Sequence, residues 1–314
     1  MSEPALSTPE ADLKLPSLQG TLFWNPSAGH HFPEAEVLEL EAAARAAGLE
    51  MIRFAPRIDI GSIVREQMRT GRRLFIAAGG DGTISGVAQP LMNTNAVLGV
   101  LPVGTYNHFA RDLGLPLDWR KALDVVLTGT TRQIDAARIN DRFFINNVSI
   151  GLYPELVARR EERGRDYRRW KATLHAAYAT LRKYPSVTLA IETEYLHEVV
   201  RTHVFVISNN SYDLSRIGVE APRRTLDEGR LSIYWLPHTP RIALMRFLAR
   251  YLAGRVKTAP GFRSFRTAHL RVQSARKRLH LGIDGEVVIM PPPLAITIVP
   301  RALLVKVPRE PATV

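Results

Sequence analysis

The chain of 314 residues contains no cysteine. Disulfides, Cys-ligated zinc, iron–sulfur clusters and thiol nucleophiles are therefore excluded. The absence fits a reducing cytoplasm without proving one. No apolar run approaches the roughly 18–20 residues that cross a bilayer as a helix. The first twenty residues lack a basic segment followed by an apolar one, so they do not read as a secretory signal. Their Ser, Pro and Glu content predicts a disordered tail over residues 1–18. There is no Gly-Lys-Ser/Thr of a Walker A loop and no dinucleotide fingerprint. No nucleophile elbow appears, and the nine histidines form no recognisable metal motif. Acid is in short supply: Asp+Glu number 30 against 42 Lys+Arg, a net charge of +12. Such a balance points to an anionic partner.

What is present divides at about residue 133. The hydrophobic fraction of 46% suffices for sizeable cores. Before the division, short apolar runs alternate with helical patterns. Strands are expected near 21–24, 51–54, 74–78 and 96–100. Helices are expected over 33–47, 62–69, 84–92 and from Asn107. That alternation predicts an open, mostly parallel α/β domain over 19–133. After it, segments at 143–145, 187–191, 199–208, 231–236, 270–272, 279–283 and 286–290 read as strands. Only 168–183 and 241–253 read as helices. A mostly β, sandwich-like domain over 134–300 follows. Residues 301–314 form a terminal segment, in which Leu303-Leu304-Val305 is a candidate last strand returning to the first domain.

Three polar, glycine-bearing loops directly follow apolar strands in the first half. They are Asn25-Pro26-Ser27-Ala28-Gly29, Gly79-Gly80-Asp81-Gly82-Thr83 and Gly104-Thr105-Tyr106-Asn107. Ligands of parallel α/β sheets sit outside the carboxyl ends of strands. Glycine there lets backbone N–H groups approach an anion at a helix N-terminus. One such loop is an ordinary connection; three in one domain favour phosphate binding. Asp81 would hold Mg²⁺ or its waters, or orient an acceptor hydroxyl; as a plain turn residue it would cap the next helix. Later, Asp284-Gly285 joins two strand-like runs. On spacing alone it is a hairpin turn.

Ala78-Gly79-Gly80-Asp81-Gly82-Thr83-Ile84, followed by Leu101-Pro102-Val103-Gly104-Thr105-Tyr106-Asn107-His108, resembles the diacylglycerol kinase catalytic-domain family. Asn25-Pro26-Ser27-Ala28-Gly29 is similar to its Asn-Pro-x-Ser-Gly loop. Glu228-Gly229-Arg230-Leu231 is similar to its Asp-Gly-x-Leu segment, and Asp284-Gly285-Glu286 to its Asp-Gly-Glu turn. The resemblance runs from about Phe23 to Pro308. It implies an ATP- and Mg²⁺-dependent kinase acting on the hydroxyl of a lipid such as diacylglycerol or a sphingoid base. The active site would lie in the cleft between the α/β nucleotide-binding domain and the β-sandwich. By position, Asn25, Gly79, Gly80, Asp81, Gly82, Thr83, Ile84, Gly104, Thr105 and Asn107 match nucleotide-binding positions. Glu286 matches the proton acceptor, with Asp284 beside it and Asp81 across the cleft. Thr225, Glu228 and Arg230 match a Mg²⁺ site of one carboxylate and backbone carbonyls.

There are departures. His108 stands where the family carries an acid, and Glu228 where it carries Asp. His30-His31 replaces Lys or small residues, and no Thr follows the second strand near Ala55-Pro56. A kinase of a soluble acceptor, NAD kinase-like, and a catalytically silent nucleotide- or lipid-binding protein are the alternatives. Two basic stretches stand out. One is 159–171. The other is 241–283, with eleven Lys/Arg and no acid. They suggest an anionic membrane surface as partner, and peripheral association of a cytoplasmic enzyme. Nucleic acid is not expected, because no aromatics interleave with the basic runs.

Overall fold

A computed structural model of the chain describes residues 19–26, 33–55, 58–151, 186–211, 225–237 and 263–309. The expected tail over 1–18, Ser27-Ala28-Gly29 with His30-His31, and the 159–171 cluster lie outside these residues, as do the expected helices over 168–183 and 241–253.

The first half is a parallel sheet with helices on both faces. β1 (Gly20–Trp24) pairs in parallel with β2 (Glu50–Arg53) and β3 (Leu74–Gly79), and β3 with β4 (Val97–Pro102). β3 and β4 are buried along their whole length, as continuous apolar strands between two helix layers should be. One layer holds α1 (Glu34–Ala46) and α5 (Trp119–Thr128), which place Leu40, Ala44, Trp119, Leu123 and Val126 against the sheet. The other holds α2 (Ile60–Arg69), α3 (Asp81–Ala88) and α4 (His108–Asp112), with Val64, Ile84, Val87 and Phe109 in its core. Asp59 caps α2 through the Ser62 N–H at 3.3 Å. Asp118 caps α5 through the N–H groups of Arg120 and Lys121, at 2.9 and 3.2 Å.

Two helices of this half depart from the sequence expectation, and β5 (Thr130–Ile139), β7 (Asn147–Gly151) and β11 (Arg263–Thr267) are strands beyond those expected. α5 was not expected, although Asp118 followed by Trp119, Ala122, Leu123 and Val126 has both cap and period. α3 begins at Asp81, three residues before the expected start. Extended Gly80 (φ −86°, ψ −177°) is its N-cap, so Asp81, Gly82 and Thr83 form its first turn. Pro90, which cannot continue the ladder, then leads into a 3₁₀ turn over Gln89–Leu91.

The second half is antiparallel. It contains β5 (Thr130–Ile139), β6 (Arg142–Phe144), β7 (Asn147–Gly151), β8 (Val187–Glu192), β9 (His197–Asn209), β10 (Leu231–Pro237), β11 (Arg263–Thr267), β12 (His269–Gln273), β13 (Leu279–Ile283), β14 (Glu286–Met290) and β15 (Leu294–Val307). Alternating inward residues such as Leu189, Ile191, Phe205, Ile207, Leu281 and Ile283 enclose one core. β9 belongs to both layers: residues 197–202 pair with β8, and 204–208 with β7.

The two halves share strands. β15 pairs with β12 through residues 294–297, bends at a register shift between Val299 and Leu303, and ends parallel to β4 at Leu304 and Val305. β5 follows it antiparallel along both parts, across the expected boundaries at 133 and 300.

Two buried carboxylates close this junction. Asp135 accepts the N–H of Gly229 at 2.7 Å and of Arg301 at 2.9 Å. Asp284 accepts the N–H groups of Ile145, Asn146 and Asn147 at 2.9, 2.8 and 3.2 Å, and the Ser85 hydroxyl at 2.9 Å. Removing Asp284 would strand the buried donors of Ser85, Ile145 and Asn146, and removing Asp135 the partly buried N–H groups of Gly229 and Arg301, each costing about 1–3 kcal/mol. Asp135→Ala and Asp284→Ala should therefore each lower unfolding free energy by at least about 2 kcal/mol. Urea titration measures this. A loss below about 0.5 kcal/mol, that of an ordinary surface change, would mean that these carboxylates do not hold the junction.

Candidate active site

The glycine loops after β3 and β4 meet backbone to backbone. A Cβ placed on Gly104 would lie 2.3 Å from Gly80 Cα, so the approach requires glycine. A Cβ on Gly79 would collide with Thr83 at 2.4–2.7 Å. Asn25, at the end of β1, donates from its backbone to the Ala78 carbonyl at 3.1 Å and from Nδ2 to Thr83 Oγ1 at 3.3 Å. Three strand ends therefore converge on the N-terminus of α3. Gly82, in its first turn, is exposed and would have open space around a Cβ. The unbonded N–H groups of a first helical turn favour an anion there.

The remaining residues of these loops are mostly structural. Asp81 accepts the N–H of Phe109 at 3.1 Å and of His108 at 3.3 Å. It thus caps α4, not its own helix, and ties the two loops together. Asn107 has a left-handed backbone, φ 53°. Its Oδ1 accepts the Gly104 N–H at 3.0 Å, and its Nδ2 donates to the Pro102 and Gly104 carbonyls at 3.2 and 2.9 Å. The Ile84 side chain is in the core, so only its backbone can face a ligand. Thr105 is exposed. His108 stacks on Tyr106 at 5.7 Å between ring centres. A cleft of about 480 Å³ opens beside the second loop, lined among others by Pro33, Val103, Gly104, Thr105 and Trp119.

The Asp284-Gly285-Glu286 turn reaches α3 through the Ser85–Asp284 hydrogen bond. Asp284 has φ 48° and donates its own N–H to the Asn147 carbonyl at 3.0 Å. Burial pushes its carboxyl above the ordinary value, while the donors from Ile145, Asn146, Ser85 and Asn147 pull against that shift. So enclosed, Asp284 is a positioning group. Glu286, two residues on, is exposed and ion-paired with Arg142. Ser85 and Arg142 were not found from the sequence. Both act over long separations and belong to no local motif.

Thr225, Glu228 and Arg230 lie on one turn, bolted to Asp135 and Asn210. The Glu228 N–H donates to Asn210 Oδ1 at 2.9 Å, and the Arg230 carbonyl accepts the Asn210 N–H at 3.2 Å. The Glu228 carboxylate accepts the Ser211 hydroxyl at 2.6 and 2.7 Å and the Thr225 hydroxyl at 3.0 Å. Arg266 faces it at 3.5 Å. A carboxylate with carbonyls is in kind a hard-cation donor set. Here the half-exposed Arg266 guanidinium stands beside that carboxylate.

The comparisons with known proteins agree with this architecture. The diacylglycerol kinase catalytic domain profile matches residues 19–139, and the YegS C-terminal NAD kinase beta sandwich-like domain profile matches residues 148–307. A Bacillus subtilis (strain 168) diacylglycerol kinase is 36% identical over 141 residues, 43% of this chain and 46% of that protein. A Staphylococcus aureus (strain JH9) diacylglycerol kinase is 34% identical over 130 residues, 40% and 41% of the two chains. The matched stretch thus spans less than half the length of these relatives. The crystal structure of a diacylglycerol kinase from Bacillus anthracis str. Sterne superposes with a TM-score of 0.67 at 17% identity, covering 95% of this chain and 98% of that one. A second structure from that organism gives 0.71 at 18% identity, covering 95% and 99%. At such identity the likeness speaks for the fold. With both domain profiles matched in order over nearly all of the described residues, the chain belongs to the diacylglycerol kinase catalytic-domain family.

Proposed function

We propose that this protein is a lipid kinase that transfers the γ-phosphoryl group of Mg-ATP to the hydroxyl of a lipid such as diacylglycerol or a sphingoid base. The observation that carries the reading is the Ser85–Asp284 hydrogen bond, 2.9 Å long. It joins the helix that begins in the glycine loop to the turn that bears Glu286. In this reading the phosphate-binding turn and the Glu286 carboxylate serve one substrate site.

The chemistry needs positioning and charge neutralisation more than covalent help. Backbone N–H groups of the 80–83 turn hold the ATP phosphates. The cleft beside Thr105 and Trp119 is large enough for the nucleoside, within the range of about 300–1,000 Å³ usual for small-molecule sites. The lipid oxygen bonds to the γ-phosphorus as the bond to the β–γ bridging oxygen breaks. ADP leaves with that electron pair. The hydroxyl proton passes to the Glu286 carboxylate, which Arg142 holds in place. Asp284 touches neither substrate and sets the turn from which Glu286 projects.

The sandwich profile is named for NAD kinase, which keeps a soluble acceptor as the second reading. A transfer assay with labelled ATP across diacylglycerol, sphingoid base and NAD separates the two. Transfer to NAD alone would overturn the lipid assignment.

Two variants test the roles. A Cβ added at Gly82 has open space around it, so Gly82→Val is tolerated by the fold. It should leave the melting temperature within a few degrees while lowering Mg-ATP affinity at least about tenfold, because the side chain blocks backbone approach. Unchanged affinity by calorimetry would remove this loop from the site. Glu286→Gln should bind Mg-ATP as the parent does and lose about 10²–10⁴-fold in turnover, the usual contribution of a general base. Parental turnover would reduce the turn to a plain hairpin.

A further inference from the structure

The basic stretch over 241–283 is less uniform in space than in sequence. The part over 241–257 lies outside the described residues. Of the other six cations, Arg263 faces Glu198 at 3.4 Å and Arg266 faces Glu228 at 3.5 Å. Arg271 stands opposite Glu192 in the β12–β8 ladder. Arg276, Lys277 and Arg278 remain: three consecutive exposed cations with no carboxylate partner among the described residues. They form the turn between β12 and β13. Ser274 Oγ pins this turn to the Thr188 carbonyl at 3.1 Å, and the Arg276 guanidinium pins it to the Ser186 carbonyl at 3.4 Å.

From that turn β13 runs to Asp284, and β14 returns. Among the described residues β14 ends the sheet, and only β13 pairs with it. Val288 and Met290 pack towards the sandwich core. Val287 and Ile289 point the other way and are 49% and 52% exposed. Ile289 stands opposite His280, two residues from Arg278, which is about 7 Å along a strand. An exposed β-branched pair therefore lies between the cation triplet at one end of the hairpin and Glu286 at the other. Edge strands are commonly blunted by charge or proline. β14 carries neither between Val287 and Met290.

We propose that the β13–β14 hairpin is the face on which this protein docks to an anionic lipid bilayer. The proposal rests on the lipid-kinase reading. Val287 and Ile289 enter the boundary between headgroups and acyl chains, and Arg276, Lys277 and Arg278 meet the lipid phosphates. Stable attachment needs two such signals, apolar and basic. The same placement brings Glu286, at the start of β14, to the depth of a lipid's headgroup hydroxyl. Another copy of the chain is the competing occupant of this edge. The net charge of +12 favours an anionic surface over a second cationic chain.

The test is co-sedimentation with vesicles of phosphatidylglycerol and phosphatidylcholine, against phosphatidylcholine alone, across a salt series. The parent should prefer the anionic vesicles and release them between 0.1 and 1 M salt, as the Debye length falls from about 10 to about 3 Å. Substituting Arg276→Gln, Lys277→Gln and Arg278→Gln together should weaken that binding about a hundredfold. Val287→Ser with Ile289→Ser should weaken it at every salt concentration. Both variants should keep the parental melting temperature and parental transfer to a short-chain diacylglycerol dispersed in detergent. Equal binding of both vesicle types by the parent, or parental binding in both variants, would overturn the proposal. So would a Val287→Ser, Ile289→Ser protein that turns from dimer to monomer yet binds vesicles unchanged. Absence of transfer by the parent in detergent would instead count against the kinase reading, and leaves the vesicle result standing.

Discussion

The arrangement depends on one buried carboxylate. Asp284 gathers three successive backbone N–H groups from residues 145–147 and one hydroxyl from α3. Each donor would be costly to bury without an acceptor, and the carboxylate would be costly to bury without donors. Three of these donors lie in the antiparallel half with Asp284, and the fourth, Ser85, ties the β13–β14 turn to the helix that starts at Asp81. Asp135 repeats the device on the far side, where it accepts from Gly229 and from Arg301 at the bend of β15.

The glycines make the other half of the constraint. Gly80 and Gly104 touch where a side chain on Gly104 would collide, so the ends of β3 and β4 come close together. Asp81 then locks the contact by capping α4. This gives Asp81 a structural part beside the metal- or hydroxyl-directed one its motif suggests. It also bears on His108. The contribution of residue 108 to the loop comes through its backbone N–H, which survives the change of side chain. The departure from the family's acid therefore leaves the junction of the two loops intact.

Much of the fold was legible because it follows local rules. The buried runs at 74–78 and 96–100 read as parallel strands, and Gly48, observed at φ 68°, ended α1 as expected. The glycine loops could be seen from their positions after strands. What was not legible depends on distance along the chain. Ser85 and Asp284 are 199 residues apart, and Arg142 and Glu286 are 144 apart. β5, Thr130–Ile139, has charged residues facing its neighbours at a junction and no clean alternation, so its pattern does not announce a strand. α5 is different in kind: its cap, Asp118, and its apolar period are both local to the sequence. The pairing of Glu228 with Arg266 was likewise invisible, since it needs the turn over 225–230 and β11 side by side.

The shared strands limit how the proposed reaction can be organised. Many kinases separate two lobes by a flexible connection and close it on substrate. Here β5 and β15 run unbroken from one half into the other and are hydrogen-bonded along both parts. Opening the cleft by rotation would have to bend both strands at once, at the shift between Val299 and Leu303 where Arg301 takes φ 52°. The separation between the α3 N-terminus and the 284–286 turn is thus set when the protein folds. A lipid acceptor suits such a site. In the proposed reaction the bilayer would hold its hydroxyl at a fixed depth, so water exclusion and acceptor positioning would come from docking at the membrane surface, without the two halves clamping around a substrate that diffuses in solution.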